Sequence, residues 1–248
     1  MNAGDALLIT LAGMAAGMIN TVVGSGSLIT FPTLVALGYP PVLANVSNNI
    51  GLVPGALSGV FGYRRELRGQ RARLVKLIPA SMVGGLTGSI LLLVLPSGVF
   101  KRVVIVLIVI ALVLVVVQPR LARRLARSNH AAASVSLVLI VLVGLAGVYG
   151  GYFGAAQGII LIALLGIFLA DDLQRLNGVK NVLAMWVNLV ASATFIIAAD
   201  VNWAIVGCIA IGSVIGGQLG ATVGRKLNPQ VLRVVIVLVG LSALVRLL

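Results

Sequence analysis

TVVGSGSLITFP, residues 21–32, interrupts an otherwise apolar segment with two glycines and two serines. A Gly-Ser break at membrane depth exposes backbone groups that lipid cannot satisfy, so it is tolerated where it lines a cavity buried in protein. Gly24 and Gly26 allow the backbone to turn, and the apolar residues that follow are expected to restart a helix. The start of that helix would direct amides towards an anion, with Ser25 and Ser27 as hydroxyl donors. The alternative is a small-residue patch for helix packing.

The composition of the chain predicts a membrane protein. Of its 248 residues 60% are hydrophobic and 9% are charged, whereas about a quarter are charged in soluble domains. Runs of about 20 apolar residues, enough to cross a bilayer, recur along the chain. The apolar segments are 6–38, 41–62, 74–95, 99–118, 133–170, 176–199, 202–224 and 230–248. We therefore expect an all-α, multi-pass protein of the cell membrane, with the lipid bilayer as a partner.

The net charge of +13 could suggest nucleic acid, but the basic residues cluster between apolar spans, so no nucleic-acid partner is predicted. The chain has five acids, one histidine (His130) and one cysteine (Cys208), and none of the acids lies deep in a span. Acid–base and metal catalysis therefore have almost no suitable side chains. We expect a protein that is not an enzyme and that carries no metal or cofactor.

A second interrupted segment, VYGGYFGAAQGII (148–160), contains Gly154 and then polar Gln157. Two interrupted segments at matching places in two halves of a membrane protein point to a transport site. Neither segment has the Gly-Lys-Ser/Thr ending of a nucleotide-binding loop. The pair of breaks therefore favours transport over the packing alternative.

Short motifs recur at an offset of 130–132 residues, which indicates an internal duplication. They include KRVVIVL (101–107) with LRVVIVL (232–238), and GGLTG (84–88) with GGQLG (216–220). We divide the chain into a first membrane repeat (1–118), an Arg-rich cytoplasmic linker (119–132) and a second membrane repeat (133–248).

The distribution of basic residues favours inverted over parallel repeats. If each broken segment is a re-entrant hairpin, each repeat has three further full spans and the halves are inverted. That arrangement puts 13 basic residues on one side and 3 on the other, against 11 and 5 if each broken segment is a single span. The positive-inside rule prefers the first partition. We therefore predict an external N-terminus and cytoplasmic loops at 63–73 and 118–130.

Polar residues also open the span after each break, within ANVSNNIGLVPG (44–55) and LNGVKNVLAMW (176–186). Asparagines in a span can simply join helices, and a lysine near a span end can extend to the interface. Their occurrence at matching positions in both halves, and the cost of a lysine in lipid, favour a binding role. The candidates are Asn45, Asn48 and Asn49 in the first half and Asn177, Lys180 and Asn181 in the second.

At these residues the chain resembles the sulfite exporter TauE/SafE family of membrane permeases. The matching stretches begin GSGSLITFPTLVALGYPP and GVYGGYFGAAQGIILIALLG, and the likeness covers essentially the full chain. The resemblance implies a secondary transporter for a small anion, such as sulfite or an organosulfonate. The alternatives are an anion channel and a non-transporting membrane scaffold, and a homo-oligomer remains open. The expected substrate-binding residues are Gly24, Ser25, Gly26, Ser27, Asn45, Asn48, Asn49, Gly154, Gln157, Asn177, Lys180 and Asn181.

Overall fold

The computed structural model describes residues 1–126, 135–222, 234, 236–241 and 244–245. Over these residues the fold is all-helical. The helices are α1 (Ala3–Val22), α2 (Ser27–Ala36), α3 (Pro41–Gly62), α4 (Arg71–Val94), α5 (Ser97–Ala126), α6 (Leu137–Tyr152), α7 (Gln157–Phe168), α8 (Leu173–Ala198) and α9 (Trp203–Thr222). Residues 127–132 of the Arg-rich linker, which include His130, lie outside the described residues. So do Arg225, Lys226 and Arg246, which the charge comparison counts.

Five helices of the described chain are long and apolar enough to cross a membrane. They are Ala3–Val22, Arg71–Val94, Gly98–Val117 within α5, Leu173–Ala198 and Trp203–Thr222. Many of their large apolar side chains are exposed in the isolated chain, as expected for surfaces that contact lipid. The prediction of an all-helical, multi-pass membrane protein is confirmed.

Both interrupted segments contain a break between two helices. In the first, α1 ends at Val22 and α2 begins at Ser27, with Gly24 at φ +89° between them. In the second, α6 ends at Tyr152 and α7 begins at Gln157, with Gly154 at φ +75°. A left-handed backbone is accessible to glycine without a steric penalty, and it ends a right-handed helix.

The two halves of the chain exchange their first helices. Helix α1 packs along α9, the last full helix of the second half in the described residues, and α6 packs along α4 of the first half. Glycines allow the close approach: Gly17 faces the backbone of Ser213, and Gly84 faces that of Val148. Helices α3 and α8 pack against each other at the centre, and this arrangement places both breaks beside the same central pair.

Candidate functional site

The two breaks meet at the centre of the fold through their backbones. The amide of Gly158, in the first turn of α7, donates a hydrogen bond to the carbonyl oxygen of Gly24 at 3.0 Å. A Cβ added at either position would overlap the Cα of the other glycine. This contact, between residues from opposite halves of the chain, is the point around which the polar residues gather.

Helix α8 supplies hydrogen-bond donors to the carbonyl groups at the end of α1. The Nζ of Lys180 donates to the carbonyl oxygens of Asn20 (3.2 Å) and Thr21 (3.3 Å). The side-chain amides of Asn177 and Asn181 each donate to the Thr21 oxygen at 3.2 Å. A helix that ends inside protein leaves its last carbonyls unpaired and carries partial negative charge there, so a cation and amide donors stabilise that end. Lys180 is fully buried, with 1% of its surface exposed.

A related cap joins the other pair of helices, but without a charge. Asn45 of α3 lies 132 residues before Asn177, and its amide donates to the carbonyl oxygen of Tyr152 at the end of α6 (3.0 Å). At the position matching Lys180, the first half has Asn48. Its side-chain oxygen accepts a hydrogen bond from the hydroxyl of Thr30 in α2. The centre of the protein is therefore asymmetric in charge.

Two small cavities flank the Gly158 backbone and share Asn20, Gly158 and Ala184 as walls. The lysine cavity is completed by Thr21, Gly24, Ala56, Lys180 and Asn181. The carboxamide cavity is completed by Ser27, Asn49, Leu52, Gly154, Gln157 and Asn188. Neither cavity is lined by an acid, and within the described ranges no three His, Cys, Asp or Glu side chains come together as metal ligands.

The predicted site residues fall into two groups. Those that line a cavity are Gly24, Ser27, Asn49, Gly154, Gln157, Lys180 and Asn181. Those that line neither are Ser25, Gly26, Asn45, Asn48 and Asn177. In the second group, the Ser25 hydroxyl is buried without a hydrogen-bond partner, and the Gly26 amide donates to the side-chain oxygen of Asn20 at 3.4 Å.

The sequence analysis missed Asn20, which lines both cavities, and Asn188, which lines the carboxamide cavity. Asn20 lies in the last turn of α1, immediately before the break, and a search for polar residues on that side would have found it. Asn188 lies 132 residues after Ala56, so a comparison of the two halves gives no polar match. Another missed residue is Ser192, whose hydroxyl donates to the Asn49 side-chain oxygen at 2.9 Å.

An ion-pair cluster joins the two halves at the end of α7. One carboxylate oxygen of Asp171 accepts hydrogen bonds from Gln70 (2.8 Å) and Arg73, and the other accepts from Arg175 (2.8 Å). Burial alone would raise the pKa of Asp171. The hydrogen bonds from Gln70 and Arg73 and the charge of Arg175 outweigh burial and hold the pKa below its usual value.

Tyr63 links the start of α8, next to the ion-pair cluster, with the α8 side chains that donate to the end of α1. Its buried hydroxyl donates to the side-chain oxygen of Gln174 (3.2 Å) and accepts a hydrogen bond from the Asn177 amide (2.7 Å). Since Asn177 also contacts the end of α1, a continuous set of hydrogen bonds runs from the start of α8 to the carbonyls that hold Lys180.

Comparisons with known proteins indicate a transporter family. A family model described as "Sulfite exporter TauE/SafE" matches residues 9–247. A "Probable membrane transporter protein" of Haemophilus influenzae is 24% identical over 240 residues, which cover 96% of this chain and 93% of that protein. The "Probable membrane transporter protein YfcA" of Escherichia coli K12 is 22% identical, over 91% of this chain and 83% of that protein. No solved structure matches significantly.

Proposed function

The chain belongs to the sulfite exporter TauE/SafE family, and on that premise we propose that it is a secondary transporter for a small anion. The substrate we assign is a sulfur oxyanion or an organosulfonate such as sulfite. The observation that carries this proposal is the meeting of the two broken segments at Gly24 and Gly158, beside buried Lys180. Broken helices that meet between the halves of a membrane protein are a recurring device for substrate binding in transporters.

The chemistry around this contact suits an anion. An ammonium group has three donors, and two of those on Lys180 are used by the carbonyl oxygens at the end of α1. The third is left for a ligand in the lysine cavity. Asn181 lines the same cavity, and no acid among the lining residues competes for the charge. A buried ammonium group without an acidic partner is costly, and binding an anion lowers that cost.

We propose further that the two halves are inverted repeats, with each broken segment a re-entrant hairpin. Two features support this arrangement. The first helix of each half packs on the fourth helix of the other half, α1 on α9 and α6 on α4, as a two-fold relation between the halves requires. The start of α2 also turns back onto α1, because Gly26 lies against Ala16 and Asn20 rather than beyond the end of that helix. The loops at 63–73 and 118–130 are then cytoplasmic.

The small size of the cavities favours a carrier over an open channel. Each of the two cavities has room for roughly one water molecule, so both must widen before an oxyanion can enter. A carrier binds its substrate in an enclosed site and must change conformation to release it. Inside-negative potential favours outward anion movement by about 2.3 kcal/mol per charge per 100 mV, so we propose export as the direction.

The test is flux in proteoliposomes loaded with sulfite or methanesulfonate, under an imposed voltage and no pH gradient. We expect saturable, voltage-driven flux with counterflow, strongly reduced in Lys180→Gln and unchanged in Lys76→Gln, which removes an exposed charge of α4. Conductance without saturation or counterflow would identify a channel instead. No flux and no anion-dependent stabilisation would identify a non-transporting scaffold.

A further inference from the structure

The lysine cavity and the carboxamide cavity are neighbouring parts of one polar region. They share Asn20 and Gly158, so a ligand in one lies directly beside the other. One side offers a buried ammonium group, and the other offers the neutral side chains of Asn20, Asn49, Gln157 and Asn188. The function proposed above uses the charged side and gives no role to the neutral side.

Three carboxamides that line this cavity, those of Asn20, Asn49 and Gln157, make no hydrogen bond through their NH₂ groups within the described residues. The side-chain oxygen of Asn49 accepts from Ser192, and that of Asn20 accepts from the Gly26 amide. In both residues the NH₂ group is therefore the end left for a ligand. Gln157 is 3% exposed, and its Nε2 has no hydrogen-bond partner. A buried donor without a partner costs free energy, so this cavity calls for an acceptor such as an anion oxygen.

The charge of the whole region is close to a single positive unit. Among the described residues that line the two cavities, Lys180 is the one charged side chain. Each break also contributes one helix C-terminus and one helix N-terminus, with about half a charge of opposite sign each, and these contributions largely cancel. A monoanion would therefore be neutralised in the site. A dianion would keep one uncompensated negative charge away from water, and such a charge is strongly disfavoured.

We propose that the two cavities together form a site for monoanionic oxyanions, and that this site discriminates against dianions. Lys180 balances the single charge, and the NH₂ groups of Asn20, Asn49 and Gln157 bind the remaining oxygens. Sulfonates and hydrogensulfite fit this description, whereas sulfate and thiosulfate carry one charge too many. This inference rests on the proposed anion transport and narrows its substrate class.

Methanesulfonate and sulfate provide a matched pair of probes, because they share the SO₃ group and differ by a methyl group in place of a charged oxygen. Binding of each to the full chain in lipid nanodiscs is measured by calorimetry at one pH and ionic strength. We expect methanesulfonate to bind at least about tenfold more tightly, a difference of about 1.4 kcal/mol. Lys180→Gln should weaken the binding of both anions, Asn49→Ala should weaken methanesulfonate binding, and Lys76→Gln should change neither affinity.

The comparison of the two anions on the unmodified protein does not depend on any variant folding correctly. Sulfate binding as tight as methanesulfonate binding, or tighter, would overturn the charge inference and leave an anion transporter in place if flux still requires Lys180. If neither anion binds and neither is transported, the inference and the proposed function are both overturned.

Discussion

The Gly24–Gly158 contact can be tested by adding one methyl group. In Gly158→Ala, the new Cβ would overlap Gly24 Cα and lie 3.0 Å from the Gly24 carbonyl oxygen. Both atoms belong to a backbone that is fixed by its own turn, with Gly24 at φ +89°, so relief requires the two breaks to separate. The separation also weakens the hydrogen bond from the Gly158 amide.

The expected cost combines two effects. Overpacking of a tight contact costs about 1–3 kcal/mol, and loss of the hydrogen bond adds about 0.5–1.5 kcal/mol. A total of about 1.5–4.5 kcal/mol lowers the melting temperature of a chain this size by roughly 3–18 °C. Anion flux should fall as well, because both cavities share the Gly158 wall.

The matched control is Gly207→Ala in α9, where an added Cβ meets nothing within 4 Å. Alanine is favoured over glycine inside a helix, so this variant should melt at the same temperature as the unmodified protein or slightly higher. Thermal unfolding in detergent and proteoliposome flux are measured on both variants. If Gly158→Ala melts and transports like Gly207→Ala, the two breaks do not meet as described.

Further variants test the site, the ion-pair cluster and the topology. Asn49→Ala should weaken anion binding at least about tenfold, since a hydrogen bond to a charged group contributes about 1.5–3 kcal/mol; normal affinity by calorimetry would make Asn49 a packing residue. Lys180→Ala should weaken binding to the same degree and also lower the melting temperature, because the carbonyls at the end of α1 lose a donor. The pKa of Asp171 is lowered in the folded protein, so the ionised Asp171 carboxylate stabilises the fold fully above the unfolded-state pKa. This stabilisation is lost as pH falls through the folded-state pKa. Melting temperatures followed from neutral to acidic pH should therefore converge for the unmodified protein and Asp171→Asn, with Asp200→Asn as the control; a constant difference at every pH would argue against the ion pairs. Asp200→Cys, in a Cys208→Ala background, should react with an impermeant thiol reagent from outside; labelling from the same side as the Arg-rich linker would restore parallel repeats.

The sequence by itself determined the features that depend on local composition. Apolar runs predicted the helices, and Pro41–Gly62 begins and ends where the apolar segment 41–62 does. The glycines at 24 and 154 predicted the two breaks, because a left-handed backbone is a property of single residues. Family membership also followed from short motifs, and the family comparison confirmed it. The inverted orientation and the substrate-binding residues stay predictions.

The tertiary structure alone decided which groups the polar residues contact. Lys180 lies 160 residues from Asn20 along the chain, and no local pattern predicts that its ammonium group caps the end of α1. The meeting of Gly24 with Gly158, and the places of Asn20 and Asn188 in the cavities, likewise depend on the exchange of first helices between the two halves. The physical reason is that a buried polar group must find partners wherever packing brings them, and packing is set by surfaces that come from distant parts of the chain.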